Sequence, residues 1–108
     1  MYGYIEGIYK EAPYQINGKL QWTRSSGKYA IWFNDQNVCW MIGSAYDVGT
    51  DICWIYSTKI DDGNMPYDVT EWKYLNENEW IPSTNVHVVQ IKGYFHIHVL
   101  NSTILISI

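Results

Sequence analysis

The chain has 108 residues, with 7 Lys plus Arg against 11 Asp plus Glu, and a formal net charge of −4. That length suits one compact domain, and an acidic balance without cationic clusters argues against nucleic acid as a partner. A hydrophobic share of 47% with only 17% charged residues excludes a disordered polar segment.

The apolar residues are mostly of one kind: 14 Ile and 7 Val against 4 Leu and 3 Ala. β-Branched and aromatic side chains suit a pleated, half-buried surface, so the expectation is an all-β protein. Turn chemistry then divides the chain. Residues 2–9 alternate loosely and end at Ala12-Pro13. The run 14–16, the dipeptide Asn17-Gly18 and the run 19–22 read as a hairpin, because a type I′ turn needs positive φ at both central residues. Strands are predicted over 29–33 and 38–42 about the polar turn 34–37. A loop over 43–51 follows, then a strand at 52–56.

The stretch 59–68 is the longest predicted loop. Residues 69–75 and 79–81 flank Asn76-Glu77-Asn78 as a second hairpin, which Pro82 is expected to end. Runs 86–91, 94–100 and 103–108 read as three strands joined by Lys92-Gly93 and Asn101-Ser102. No helical periodicity is sustained anywhere. Some eight to ten short strands in sequence predict a single small antiparallel barrel or a two-sheet sandwich. The expected organisation is one domain over 1–108, with a Trp-rich meander over 1–82 and a three-stranded segment over 83–108. The 103–108 strand is an aggregation-prone edge, so a protein partner or self-association through it would cover it.

Six Trp fall at 22, 32, 40, 54, 72 and 80, nearly one per predicted strand. Trp32 and Trp40, mid-strand, are expected in the core. With ten Tyr besides, some aromatics are left to form a surface for a protein or for sugar rings. The candidates are Trp22, Trp54, Trp72, Trp80, Tyr46 and Tyr67. The pattern Tyr14-x-Ile16-Asn17-Gly18-x-x-x-Trp22, Tyr29-x-Ile31-Trp32, Trp40-x-Ile42-Gly43, Trp72 and Trp80 resembles a small Trp-rich all-β module. Such modules occur, often in tandem, in protist and invertebrate proteins. The resemblance covers about Ile8 to Ile81. It implies an interaction or scaffold role and carries over no catalytic residue.

Cys39 and Cys53 each precede a Trp. If 38–42 pairs with 52–56 about the intervening loop, they lie opposite each other at disulfide distance. The other reading is two buried thiols. His87, His96 and His98 are the most specific chemical set. A two-residue turn at Lys92-Gly93 places His98 opposite His87 and His96 opposite Val89, so three imidazoles share one face. Zinc uses such a set with a fourth position open, although no Asp or Glu lies within the hairpin to orient the rings. Partly buried strand histidines are the commoner explanation.

Asp61, Asp62 and Asn64 lack the spaced ligands of a calcium loop. Glu71, Glu77 and Glu79 read as solvated carboxylates. No nucleophile motif or phosphate-binding glycine loop is present. Residues 1–6 lack the pattern of a signal peptide, and 86–108 is too interrupted by polar residues to span a bilayer. The expected protein is therefore soluble, with the cytoplasm favoured, and needs no cofactor. It is read as a non-catalytic module binding a protein partner. A carbohydrate-binding module and a small metal-dependent hydrolase on the three histidines are the alternatives.

Overall fold

A computed structural model describes residues 5–24, 26–58, 65–91 and 94–99. Nine strands form one antiparallel sheet: β1 (Gly7–Glu11), β2 (Trp22–Arg24), β3 (Tyr29–Asn34), β4 (Cys39–Ser44), β5 (Ile55–Ser57), β6 (Trp72–Asn76), β7 (Glu79–Ser83), β8 (Val86–Ile91) and β9 (Tyr94–Val99). Their order is β7-β6-β5-β4-β3-β2-β1-β9-β8. The all-β expectation holds. The pairing is that of a single open sheet, with β7 and β8 as its edges.

Those two edges are consecutive in the chain, joined only by Thr84 and Asn85. In a flat sheet eight spacings of about 4.8 Å would hold them roughly 38 Å apart. Three peptide units reach only about 11 Å. The sheet must therefore coil until its edges meet at one corner, and the radius of gyration of 12.7 Å fits that compaction.

Coiling creates an inner face and an outer face. Across the inner face runs the cross-strand row Trp22–Ile31–Ile42–Ile55–Tyr74–Ile81. Its central isoleucines are fully buried, and Tyr9, Trp40, Trp72, Val86, Val88 and Ile97 join the same core. Trp40 packs against Trp22 and edge-on against Phe33, at centroid distances of 5.9 and 5.2 Å. Tyr9 keeps its hydroxyl satisfied by donating to the Ile5 carbonyl at 2.7 Å. Trp32 and Trp40 are both enclosed, as expected, but on opposite faces of the sheet.

Turn chemistry explains several connections. Asn17 and Gly18 adopt φ of 55° and 77°, the left-handed pair of a type I′ turn. The hairpin it closes is short, a single bridge between Ile16 and Lys19, at the tip of a loop between β1 and β2. Asn17 Nδ2 then donates to the Phe33 carbonyl at 2.9 Å and ties that tip to β3. Asn34 organises the β3–β4 turn, its Oδ1 accepting from the Asn37 N–H at 2.7 Å.

One expectation is corrected here. Pro82 does not end a strand; it sits within β7, opposite Lys73. Asn76 and Glu79 close a two-residue turn and are hydrogen-bonded, so alternation turns the Pro82 nitrogen to the open edge, where no N–H is needed. The described part of the C-terminal segment, β8 and β9, belongs to the same sheet and core. β9 pairs with β1 as well as β8, and Val86, Val88 and Ile97 complete the common core. Both flanks of β9 are occupied, so it offers none to a third strand; 103–108 lies outside the described residues.

Candidate functional site

The outer face is covered over β3 and β4 by the segment 45–54, which leaves the sheet after β4 and crosses back over it. Gly43 permits the crossing. A Cβ there would lie 3.2 Å from both Cys53 Cα and the tip of the Trp32 ring, tighter than most packed Cβ contacts, so backbone and ring would have to give way. Trp32 Nε1 and Asn34 Nδ2 both donate to the Thr50 carbonyl, at 3.1 and 3.0 Å, and pin the segment down. Beneath it Ala30, Trp32, Cys39, Met41 and Cys53 form a second buried cluster.

Beyond that cover the outer face opens into a cleft of about 330 Å³. The outer row Trp32–Met41–Tyr56–Lys73–Pro82 crosses it from β3 to β7. Met41 and the two cysteines line its base, and Tyr56 and Trp80 its wall, with Asn37, Asp51 and Thr58 also on its lining. Trp80 stands edge-to-face on Tyr56 at a centroid distance of 4.8 Å. Its ring remains 39% exposed, the largest exposure of the six tryptophans.

The structure distributes the aromatic candidates unevenly. Trp22 and Trp72 are buried in the inner core and offer no face to a ligand, which corrects their place among the candidates. They were misassigned because strand alternation alone does not say which face is inward. Trp54 is half-buried against Tyr29, at a centroid distance of 5.8 Å. Tyr46 is 98% exposed and Tyr67 is exposed, each in a short 3₁₀ turn away from the cleft. Only Trp80 joins an exposed ring to a concavity.

The cysteines are not opposite each other. β4 pairs with β5 so that Met41 faces Tyr56, and Cys53 lies over Gly43, four residues along β4 from Cys39. Four residues span about 13 Å, which leaves the two Cα atoms about 8 Å apart or more, beyond disulfide reach. Both are free thiols. Burial pushes Cys39 up to about 11. Burial, with Cys39 and Asp51 nearby, pushes Cys53 up to about 12, against a hydrogen bond from the Ile55 backbone that lowers it. Both are protonated at neutral pH and are poor nucleophiles. Ser57 Oγ, beside them, accepts from the Trp40 N–H at 2.9 Å.

The histidine register matches expectation: His87 faces His98, and Val89 faces His96. Among the described residues His87 Nε2, a buried atom, has no hydrogen-bond partner. The side chains of His96 and His98 lie outside the described residues, as do Asp61, Asp62 and Asn64. Among the described residues no three His, Cys, Asp or Glu side chains cluster as metal ligands, and no helix is long and apolar enough to cross a membrane. No protein-family model, curated protein or solved structure matches the chain.

Proposed function

We propose that this protein is a non-catalytic interaction module that holds an extended segment of a partner protein along β7. In this reading an apolar side chain of that segment enters the Trp80–Tyr56–Met41 cleft. The observation that carries it is Trp80, an exposed indole on an edge strand at the mouth of a concavity. Trp80 pairs with Leu75 one step beyond the hydrogen-bonded pair Asn76–Glu79. Alternation therefore aims its N–H and C=O away from β6, toward the open edge. A peptide strand added there gains main-chain hydrogen bonds, and the neighbouring cleft selects a side chain. Pro82 restricts docking to the first half of the strand, because it offers only a carbonyl.

The protonated thiols and the engaged Ser57 hydroxyl favour binding over covalent chemistry in the cleft. The likeness to Trp-rich scaffold modules points the same way. In its finer form the fold is then a barrel with one seam unlaced, between β7 and β8, and a partner strand is what such a seam accepts.

The test is selection of extended peptides from a phage-displayed library on the intact chain, followed by titration monitored by tryptophan fluorescence. Trp80 is the most exposed indole, so a bound peptide should shift the emission. Trp80→Ala should abolish binding and leave the fold intact, whereas Tyr46→Ala, remote from the cleft, should leave affinity unchanged. Peptides that bind Trp80→Ala as well as the parent would overturn the reading. A fluorescence shift with soluble oligosaccharides and none with peptides would transfer the cleft to the carbohydrate-binding alternative.

A further inference from the structure

The cleft beside β7 changes character along its length. Trp80 and Tyr56 form its wall and Met41 part of its base, whereas Asp51, Asn37 and Thr58 bring polar groups to the lining. Asp51 is an exposed residue of the segment that crosses back over β4, two positions before Cys53. The strand order β7-β6-β5-β4 therefore sets Trp80 and Asp51 apart, with Tyr56 of β5 between them. Asp51 also lines a second depression of about 380 Å³, together with Asp35, Asn17, Asn34, Gln36 and Thr50. One carboxylate is thus common to both concavities, and a second stands in the polar one. Among the described residues no Lys, Arg or His lines either. Lys73 belongs to the same outer row, between Tyr56 and Pro82, but is not on the cleft lining.

These groups ask for one kind of side chain. Aromatic rings attract cations to their electron-rich faces, more strongly where water is excluded. The stems of Lys and Arg bury against apolar surface while their heads remain polar. A side chain running from Trp80 past Tyr56 and Met41 toward Asp51 meets aromatic and apolar groups first and a carboxylate beyond. A purely aliphatic side chain would leave the carboxylate end without a counterpart. Arg suits this order better than Lys, because its planar guanidinium stacks on aromatic rings and its forked donors fit a carboxylate. The chain as a whole, with 11 Asp plus Glu against 7 Lys plus Arg, also draws a basic segment toward it.

We propose that the partner side chain held in this cleft is cationic, arginine by preference, with its methylenes against Trp80, Tyr56 and Met41 and its guanidinium paired with Asp51. The inference rests on the reading of β7 as a peptide-docking edge and specifies the partner as an extended, basic segment. The apolar contact assigned to the cleft is then made by the arginine stem.

The phage-displayed peptides selected on the intact chain supply the probe. Those that lose binding to Trp80→Ala should carry Arg, and less often Lys, at one shared position. The tightest of them is resynthesised with citrulline in place of that Arg, which keeps the shape and removes the charge. Citrulline should weaken binding about three- to tenfold, the combined worth of an exposed ion pair and a cation–π contact. The difference should shrink as salt is raised. Asp51→Asn should bring the arginine-to-citrulline ratio toward one. Glu11→Gln removes the same charge from β1, outside the cleft, and should leave the ratio as it is. Peptides with aliphatic or aromatic anchors alone, a citrulline peptide as tight as its parent, or equal effects of Asp51→Asn and Glu11→Gln would overturn the proposal and leave the docking reading standing. Recovery of no Trp80-dependent peptide would remove both.

Discussion

The β3–β4 hairpin and the β8–β9 hairpin belong to one sheet and differ in what covers them. β3 and β4 are buried on both faces, by the inner core below and by the 45–54 segment above. β8 buries Val86 and Val88 on its inner face but leaves Val89 exposed on the outer. Strands covered twice read as continuous apolar runs, and those covered once alternate with polar residues. Here Tyr-Ala-Ile-Trp-Phe contrasts with Val-His-Val-Val-Gln. The first hairpin is the scaffold. The second, like β7 at the opposite edge, keeps a face and backbone groups available, and the candidate cleft lies at such a margin.

The sharpest way to break this comparison is to empty the scaffold on either side. Trp32→Ala opens a cavity under the 45–54 segment and frees the Thr50 carbonyl of one donor. Trp40→Ala opens one in the inner core. Each should cost about 3–5 kcal/mol in chemical denaturation. A loss below about 1 kcal/mol for Trp32→Ala would mean that the outer cover contributes little, and the hairpins would no longer differ in kind.

Local chemistry in the sequence is enough to read much of this fold and little of its site. The Ile and Val excess, Asn17-Gly18 and the Lys92-Gly93 connection fix strand type and the registers across tight turns, including His87 opposite His98. A two-residue connection leaves little choice of register. The β1–β9 pairing joins segments about ninety residues apart, and no turn specifies it; inner-face burial does. Two residues carry more than turn chemistry. Gly43 inside an apolar strand marks a close backbone approach, here Cys53, rather than a strand end. Pro82 marks β7 as an edge, and so places Trp80 on it. The crossing over Gly43 is what separates the cysteines, because a simple hairpin about 43–51 would set them face to face.

A smaller effect sharpens the comparison through pH. Cys39 and Cys53, beneath the outer cover, titrate at about 11 and about 12 against an ordinary 9.0. The Tyr9 phenol in the inner core is also pushed up by burial, partly offset by Arg24. Raised values mean that the folded chain keeps protons the unfolded chain releases, so stability falls as pH climbs past the unfolded values. The urea midpoint should therefore decline from about pH 9 towards pH 11–12. The double variant Cys39→Ala, Cys53→Ala should flatten part of that slope. An unchanged slope would show that the thiols are solvated and the cover loose.

The smallest expected effect belongs to the second hairpin. His87→Val removes a buried ring nitrogen that has no partner among the described residues and installs a β-branched residue on a strand. Relief of the unpaired nitrogen favours the variant, and loss of ring contacts opposes it. The net change should fall within about 0.5 kcal/mol, the usual range for surface positions. Chemical denaturation of the variant against the parent checks this; a loss above about 2 kcal/mol would mean that the ring is as enclosed as those of the scaffold. A small change is what a sheet face covered only once permits. At Trp32, fully buried beneath the outer cover, no such tolerance is expected.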